Sequence, residues 1–157
     1  MGKIRVTFLG VISALGLIAT ACNSGSGPAE YSTSIQCPEC PRVTVSRIID
    51  GDTFDTPRGR VRLFGVDTPE RGQRCYTQAA RRLKQLARNA VRVEPGPRDR
   101  DPGGRLLYYA YTESGNSIDE ILVREGLALA WTRDGQHRDR LLGIEGEARR
   151  RGAGCLW

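Results

Sequence analysis

The sequence is short of histidine and of lysine, and it has no apolar run long enough to cross a bilayer. His137 is the only histidine among 157 residues, which excludes a zinc site built on imidazoles. Beyond Lys3, only Lys84 is a lysine, so arginine carries nearly all the positive charge. The longest apolar stretch, residues 6–18, is about a dozen residues, well under the ~20 that a spanning helix needs. No internal repeat or second domain boundary interrupts the remainder.

That short run follows Lys3 and Arg5 and leads into "ATAC", ending at Cys22. A basic start, a brief apolar segment and small residues describe an export signal over 1–22. The small residues leading into cysteine resemble the lipobox of bacterial lipoproteins, in which Cys22 would be acylated after cleavage. Ala19 stands where leucine is commoner, and a plain signal peptide with an incidental Cys22 is the alternative. Either way the protein is expected to be exported, anchored to the outer face of the membrane through lipid alone, or secreted. Residues 23–41 begin small, polar and aperiodic, and read as a flexible tether that carries "CPEC". The folded domain is then expected over 42–157.

Removing Lys3 and Arg5 leaves 22 basic side chains against 18 acidic. A mildly basic, arginine-dominated surface suits phosphate-bearing partners, because a guanidinium grips phosphate through a planar fork. Without Cys22, four cysteines remain: Cys37, Cys40, Cys75 and Cys155. An even count in an exported domain points to two disulfides. "CPEC" as a redox pair should follow a strand and open a helix, but it lies between a tether and Pro41. As half of a zinc site it has no second pair. Three bridging patterns are open, of which Cys37–Cys40 with Cys75–Cys155 is the one we expect.

Alternation in "RVTVSRII" (42–49) predicts a strand, with Asp50-Gly51 turning the chain into "DTFDT". A second turn at 57–59 leads to a strand over 60–66, which Pro69 ends. Ala79, Ala80, Leu83, Leu86 and Ala87 share one helical face, predicting a helix over 77–89. A strand at 91–95, an irregular loop at 98–104 and a strand at 105–112 follow. Ser117 and Glu120 make a capping box for a helix closed by Gly126. A last helix, residues 138–151, is weakened by Gly143 and Gly146 at about 1 kcal/mol each. These elements predict a small α+β domain; its five short strands, if curled on themselves, would close as a small barrel with about three packed helices.

Two acidic clusters, "DGDT" (50–53) and "VDTPE" (66–70), sit at turns, where carboxylates can converge without disturbing a core. Asp52 and Asp67, with the Thr68 carbonyl, supply hard oxygen ligands suited to calcium rather than zinc. Glu70, just past Pro69, is placed to act as a general base on water. Arg62 and Arg105 can clamp a phosphate from two sides. Taken singly, each has a plainer explanation: Asp50, Asp67 and Thr68 as turn residues, Arg62 as a strand's surface cation, Glu70 and Arg71 as a solvated pair worth under about 1 kcal/mol. Their co-occurrence favours chemistry.

"DGDTFDT", "GRVRLFGVDTPE", "GGRLLYYAY" and "SIDEILVREGLALAW" together resemble the staphylococcal nuclease-like (thermonuclease) family across residues 42–157. The resemblance implies an OB-fold barrel and a calcium-dependent phosphodiesterase acting on DNA and RNA, leaving 3′-phosphate and 5′-hydroxyl ends; we expect a monomer that prefers single-stranded or locally open nucleic acid. Position by position it implies Asp52, Asp67 and the Thr68 carbonyl as Ca2+ ligands, Glu70 as the residue that orients or deprotonates water, and Arg62 and Arg105 as the phosphate clamp. The sequence departs from the family at Gly103, where a tyrosine is common, so that any ring in the site must come from Tyr108 or elsewhere. The stretch "RGQRCY" is also shorter than the usual basic loop. The competing classes are a catalytically silent nucleic-acid-binding OB module and a thiol-redox lipoprotein using Cys37 and Cys40.

Overall fold

Apart from Gly2, the computed structural model describes residues 34–157. The expected signal segment, its Cys22 and the tether as far as residue 33 lie outside the described residues. Along "RVTVSRI" the alternation yields two short strands rather than one, β1 (Arg42–Thr44) and β2 (Arg47–Ile48). The break falls where the chain changes partners: the Val45 N–H donates to the Asn89 carbonyl, and the Ser46 N–H to that of Asp55.

β3 (Thr53–Thr56) and β4 (Gly59–Leu63) form a hairpin, followed by β5 (Val66–Asp67), helix α1 (Tyr76–Ala87), β6 (Ala90–Arg100) and β7 (Leu106–Tyr111). Helix α2 (Ile118–Arg124), β8 (Leu129–Ala130) and helix α3 (Arg138–Arg150) complete the order. The main sheet runs β1-β6-β7-β4-β3-β2, with β4 and β7 parallel and the other pairs antiparallel. Its two edges, β1 and β2, are halves of one continuous run, so the sheet curls back on itself. Counting that run once, five strands make the α+β OB-fold barrel with three helices. Inward-facing Phe54, Val61, Leu63, Val91, Leu107 and Tyr109 fill it.

Two expectations shift. Residues 98–100 belong to β6 rather than to a loop, because pairing resumes at Arg100↔Leu106 after a register shift beyond Pro95. Pro95 and Pro97 lack the N–H a ladder needs, and this interrupts the pairing without ending the strand. The capping box at α2 is half formed. Ser117 Oγ accepts the Glu120 N–H at 3.1 Å, but the Glu120 carboxylate takes the Ile35 N–H at 2.7 Å instead of returning to Ser117. That bond, and one from the Cys37 N–H to the Gly115 carbonyl, hold residues 35–40 against the domain. This part of the expected tether is bound.

The cysteines pair as Cys37–Cys40 and Cys75–Cys155, with Cα atoms 5.3 and 5.7 Å apart. Cys75 caps α1, so the second bridge ties the start of that helix to the C-terminal segment. Leu83, Ala79 and Ala87 of α1 are fully buried. Burying one large aliphatic side chain stabilises a fold by about 1.5–3 kcal/mol.

In the first turn of α2, Asp119 is wholly buried and accepts backbone N–H groups from Gly65 (3.0 Å) and Ala110 (3.1 Å). Burial pushes its carboxyl from 3.8 up to about 6, against the opposing pull of those bonds. A carboxyl raised on folding stabilises most where it is protonated in both states, below 3.8, and that contribution is lost as pH rises through 6. Asp119→Asn cannot ionise. The stability of the wild type relative to this variant, from denaturant unfolding, should therefore fall between about pH 4 and about pH 7. A constant difference would show that Asp119 stays in one protonation state.

Candidate active site

The site starts from a close approach that only glycine permits. A β-carbon on Gly51 would stand 2.7 Å from both the Ala79 β-carbon and Thr68 Oγ1. With none there, Thr68 packs onto the Asp50–Asp52 turn, and its N–H and hydroxyl both donate to Asp52 Oδ2 at 3.0 Å. Asp52 is buried, and its other oxygen accepts the Thr53 hydroxyl at 2.9 Å. Two acidic motifs sixteen positions apart are thus joined at one carboxylate.

Arg62 lies opposite Thr53 in the β3–β4 register, between the inward-facing Val61 and Leu63. Its Nη1 donates to the carbonyls of Leu63 (2.8 Å) and Val66 (3.0 Å), which fixes the turn into β5. Its Nη2 donates to Asp67 Oδ1 at 2.6 Å and lies 3.7 Å from Asp52 Oδ2. The guanidinium therefore links both candidate metal carboxylates. That arrangement answers why a strand bordering a core carries an arginine: its donors satisfy two backbone carbonyls at the turn out of β4.

The donor set around Asp52 fits a hard dication. Asp52, Asp67 and Thr68 present only oxygen, with no thiolate or imidazole among them. Asp50, whose Oδ1 accepts the Asp52 N–H at 3.1 Å, has its carboxyl pushed up by burial and by the negative charge of Asp52. Crowded carboxylates of this kind are relieved by a cation.

Arg105 enters from the strand beside β4, immediately before the Val61↔Leu106 pair. Its backbone N–H and Nε both donate to Asp101, at 2.9 and 2.6 Å. Burial pushes the Asp101 carboxyl up, but the two bonds from Arg105 outweigh it and hold the group below its usual range. Arg62 and Arg105 line one cleft of about 300 Å³. Asp67 and Thr68 line a neighbouring cleft of about 260 Å³, bordered by Leu129 and Leu156.

Glu70 lines neither cleft. It is exposed on the turn after Pro69, where its N–H donates to Gln73 Oε1 at 2.7 Å and its carbonyl accepts the Gln73 N–H at 2.9 Å. Its carboxylate has no hydrogen-bond or ion-pair partner among the described residues. The one histidine is elsewhere: His137 Nε2 meets Glu94 at 3.0 Å, and Tyr111 donates to the same carboxylate. Although burial pushes Glu94 up, the bonds from Tyr111, His137 and Gln136 prevail and hold it low.

Sequence reading missed Arg98, Trp131 and Arg133, which line the same cleft as Arg62 and Arg105. Trp131 places a ring in the cleft, whereas Tyr108 lines a separate apolar groove with Val61, Val93 and Leu106. Nothing local in "LALAW" signals this placement. β8 pairs Asp67 with Leu129, and the Trp131 N–H donates to the Gly65 carbonyl at 2.8 Å, so the run must pass beside the "VDTPE" turn.

Comparison with known proteins shows the family. A family model described as staphylococcal nuclease homologue matches residues 60–157. The chain is 38% identical over 131 residues to a micrococcal nuclease of Shigella flexneri, covering 74% of this chain and 73% of that protein. It is 34% identical over 142 residues to a thermonuclease of Staphylococcus intermedius, covering 83% and 82%. An uncharacterized endonuclease of Escherichia coli is 33% identical over 119 residues, covering 72% and 74%. With an OB barrel that joins the "DGDT" and "VDTPE" turns at one carboxylate, and with these matches, the chain belongs to the staphylococcal nuclease family.

Proposed function

We propose that this nuclease is a calcium-dependent phosphodiesterase that cleaves DNA and RNA to 3′-phosphate and 5′-hydroxyl ends. The observation that carries the reading is the convergence on Arg62: one guanidinium touches Asp67, stands beside Asp52 and shares a cleft with Arg105. Asp52, Asp67 and the Thr68 carbonyl would hold Ca2+. When bound, that ion supplies positive charge against the phosphate and a site for water. Arg62 and Arg105 bind the non-bridging oxygens and oppose the charge that accumulates on phosphorus. Glu70 accepts the proton of the attacking water, having no competing partner. The protein works after export, as a monomer held through acylated Cys22 or released.

Asp67→Asn tests the metal assignment. Loss of one carboxylate charge should raise the calcium concentration that gives half-maximal DNA cleavage by about tenfold or more. An unchanged calcium requirement would remove Asp67 from the ligand set. A thiol-redox activity would behave oppositely, surviving chelation and failing on alkylation.

A further inference from the structure

Four guanidiniums face the 300 Å³ cleft, and three have a carboxylate of their own. Arg62 is paired with Asp67 and Arg105 with Asp101, each at 2.6 Å, and Arg98 binds Asp134 at 2.9 and 3.1 Å. Arg133 has no such partner. Among the described residues no carboxylate lies within salt-bridge distance of it, and it is exposed. Its guanidinium carbon lies 5.4 Å from the Trp131 ring centroid.

The platform under it is fixed. The Trp131 indole N–H donates to Asp134 Oδ1 at 2.8 Å, and Asp134 is gripped in turn by Arg98. The Trp131 bond first and Arg98 second hold the Asp134 carboxyl below its usual range, so it stays an acceptor. The Arg62 guanidinium carbon lies 5.9 Å from the same ring. Trp131 is therefore a rigid spacer between a clamp arginine and an unmatched one. The Asp134 carboxylate feels the charge of Arg133 but is hydrogen-bonded by Trp131 and Arg98, so Arg133 has no hydrogen-bonded ion pair to break when an anion arrives.

We propose that Arg133 is a second phosphate-binding residue, engaging the phosphodiester next to the one held by Arg62 and Arg105. The substrate class it selects is a strand with consecutive phosphates rather than an isolated diester. This rests on the phosphodiesterase reading of the same cleft.

The test is binding of the full chain, in chelator, to an oligothymidylate of about eight nucleotides, followed by fluorescence anisotropy across a salt series. Arg133→Ala should weaken binding and reduce the slope of log K against log salt by about 0.7, the value of one single-strand phosphate contact. Arg133→Lys should keep the slope. A thymidine dinucleotide with one internal phosphate should bind Arg133→Ala and wild type equally. An unchanged slope, equal losses on both ligands, or wild-type binding without salt dependence would overturn the proposal. A thermal unfolding midpoint equal to wild type shows that Arg133→Ala is folded. If the slope changes as stated while wild type never cleaves in calcium, the Arg133 contact stands and the hydrolytic reading falls.

Discussion

Arg105→Ala should slow cleavage of single-stranded DNA by about 10²- to 10³-fold, the loss associated with one preorganised charge donor. Arg105 is already aimed in the free protein, because Asp101 holds both its backbone N–H and its Nε. Little ordering is left for substrate to impose. Removal has a second consequence: Asp101 lines the cleft, and without Arg105 its anion faces the phosphate unpaired. Asp101→Asn combined with Arg105→Ala should therefore recover part of the loss, which removal of an ordinary surface arginine would not allow. The checks are kcat on single-stranded DNA and a thermal unfolding curve to show that the fold is intact. Full activity in Arg105→Ala would make Arg105 a surface cation with no part in the clamp.

Glu70→Gln should lower kcat by about 10²- to 10⁴-fold, the range for a positioned general base, with substrate affinity nearly unchanged. Glutamine keeps the size of the side chain and the backbone turn to Gln73, so only proton acceptance is removed. The unpartnered carboxylate makes this a clean substitution, since no buried group is orphaned. Single-turnover cleavage and equilibrium binding, measured on the same preparation, separate the two quantities. A catalytically silent binding module would have no turnover to lose. Parallel losses of binding and rate would instead identify Glu70 as a substrate contact.

The barrel was legible because its strands are short, alternating and punctuated by "DG", "PRG" and "GG" turns. The acidic and arginine positions were legible because a strand seldom carries such charges beside a core. Other features depend on tertiary partners that have no local signature. Where "RVTVSRI" breaks is decided by Asn89 and Asp55, and the direction of the Glu120 carboxylate by Ile35. The extension of β6 through Arg100 depends on Leu106, in spite of two prolines that locally oppose a strand. Trp131 closes the short apolar run "LALAW". Its place in the cleft follows from the pairing of β8 with β5, and no periodicity in "LALAW" reveals that pairing.

The central claim is that the two acidic turns and two arginines form one ion-requiring hydrolytic site. Its most direct test is to incubate the purified protein with single-stranded DNA, first with calcium, then with excess chelator, and to identify the product ends. Cleavage is expected with calcium, leaving 3′-phosphate and 5′-hydroxyl termini, and none in chelator. Undiminished cleavage in chelator, or 5′-phosphate products, would contradict that claim.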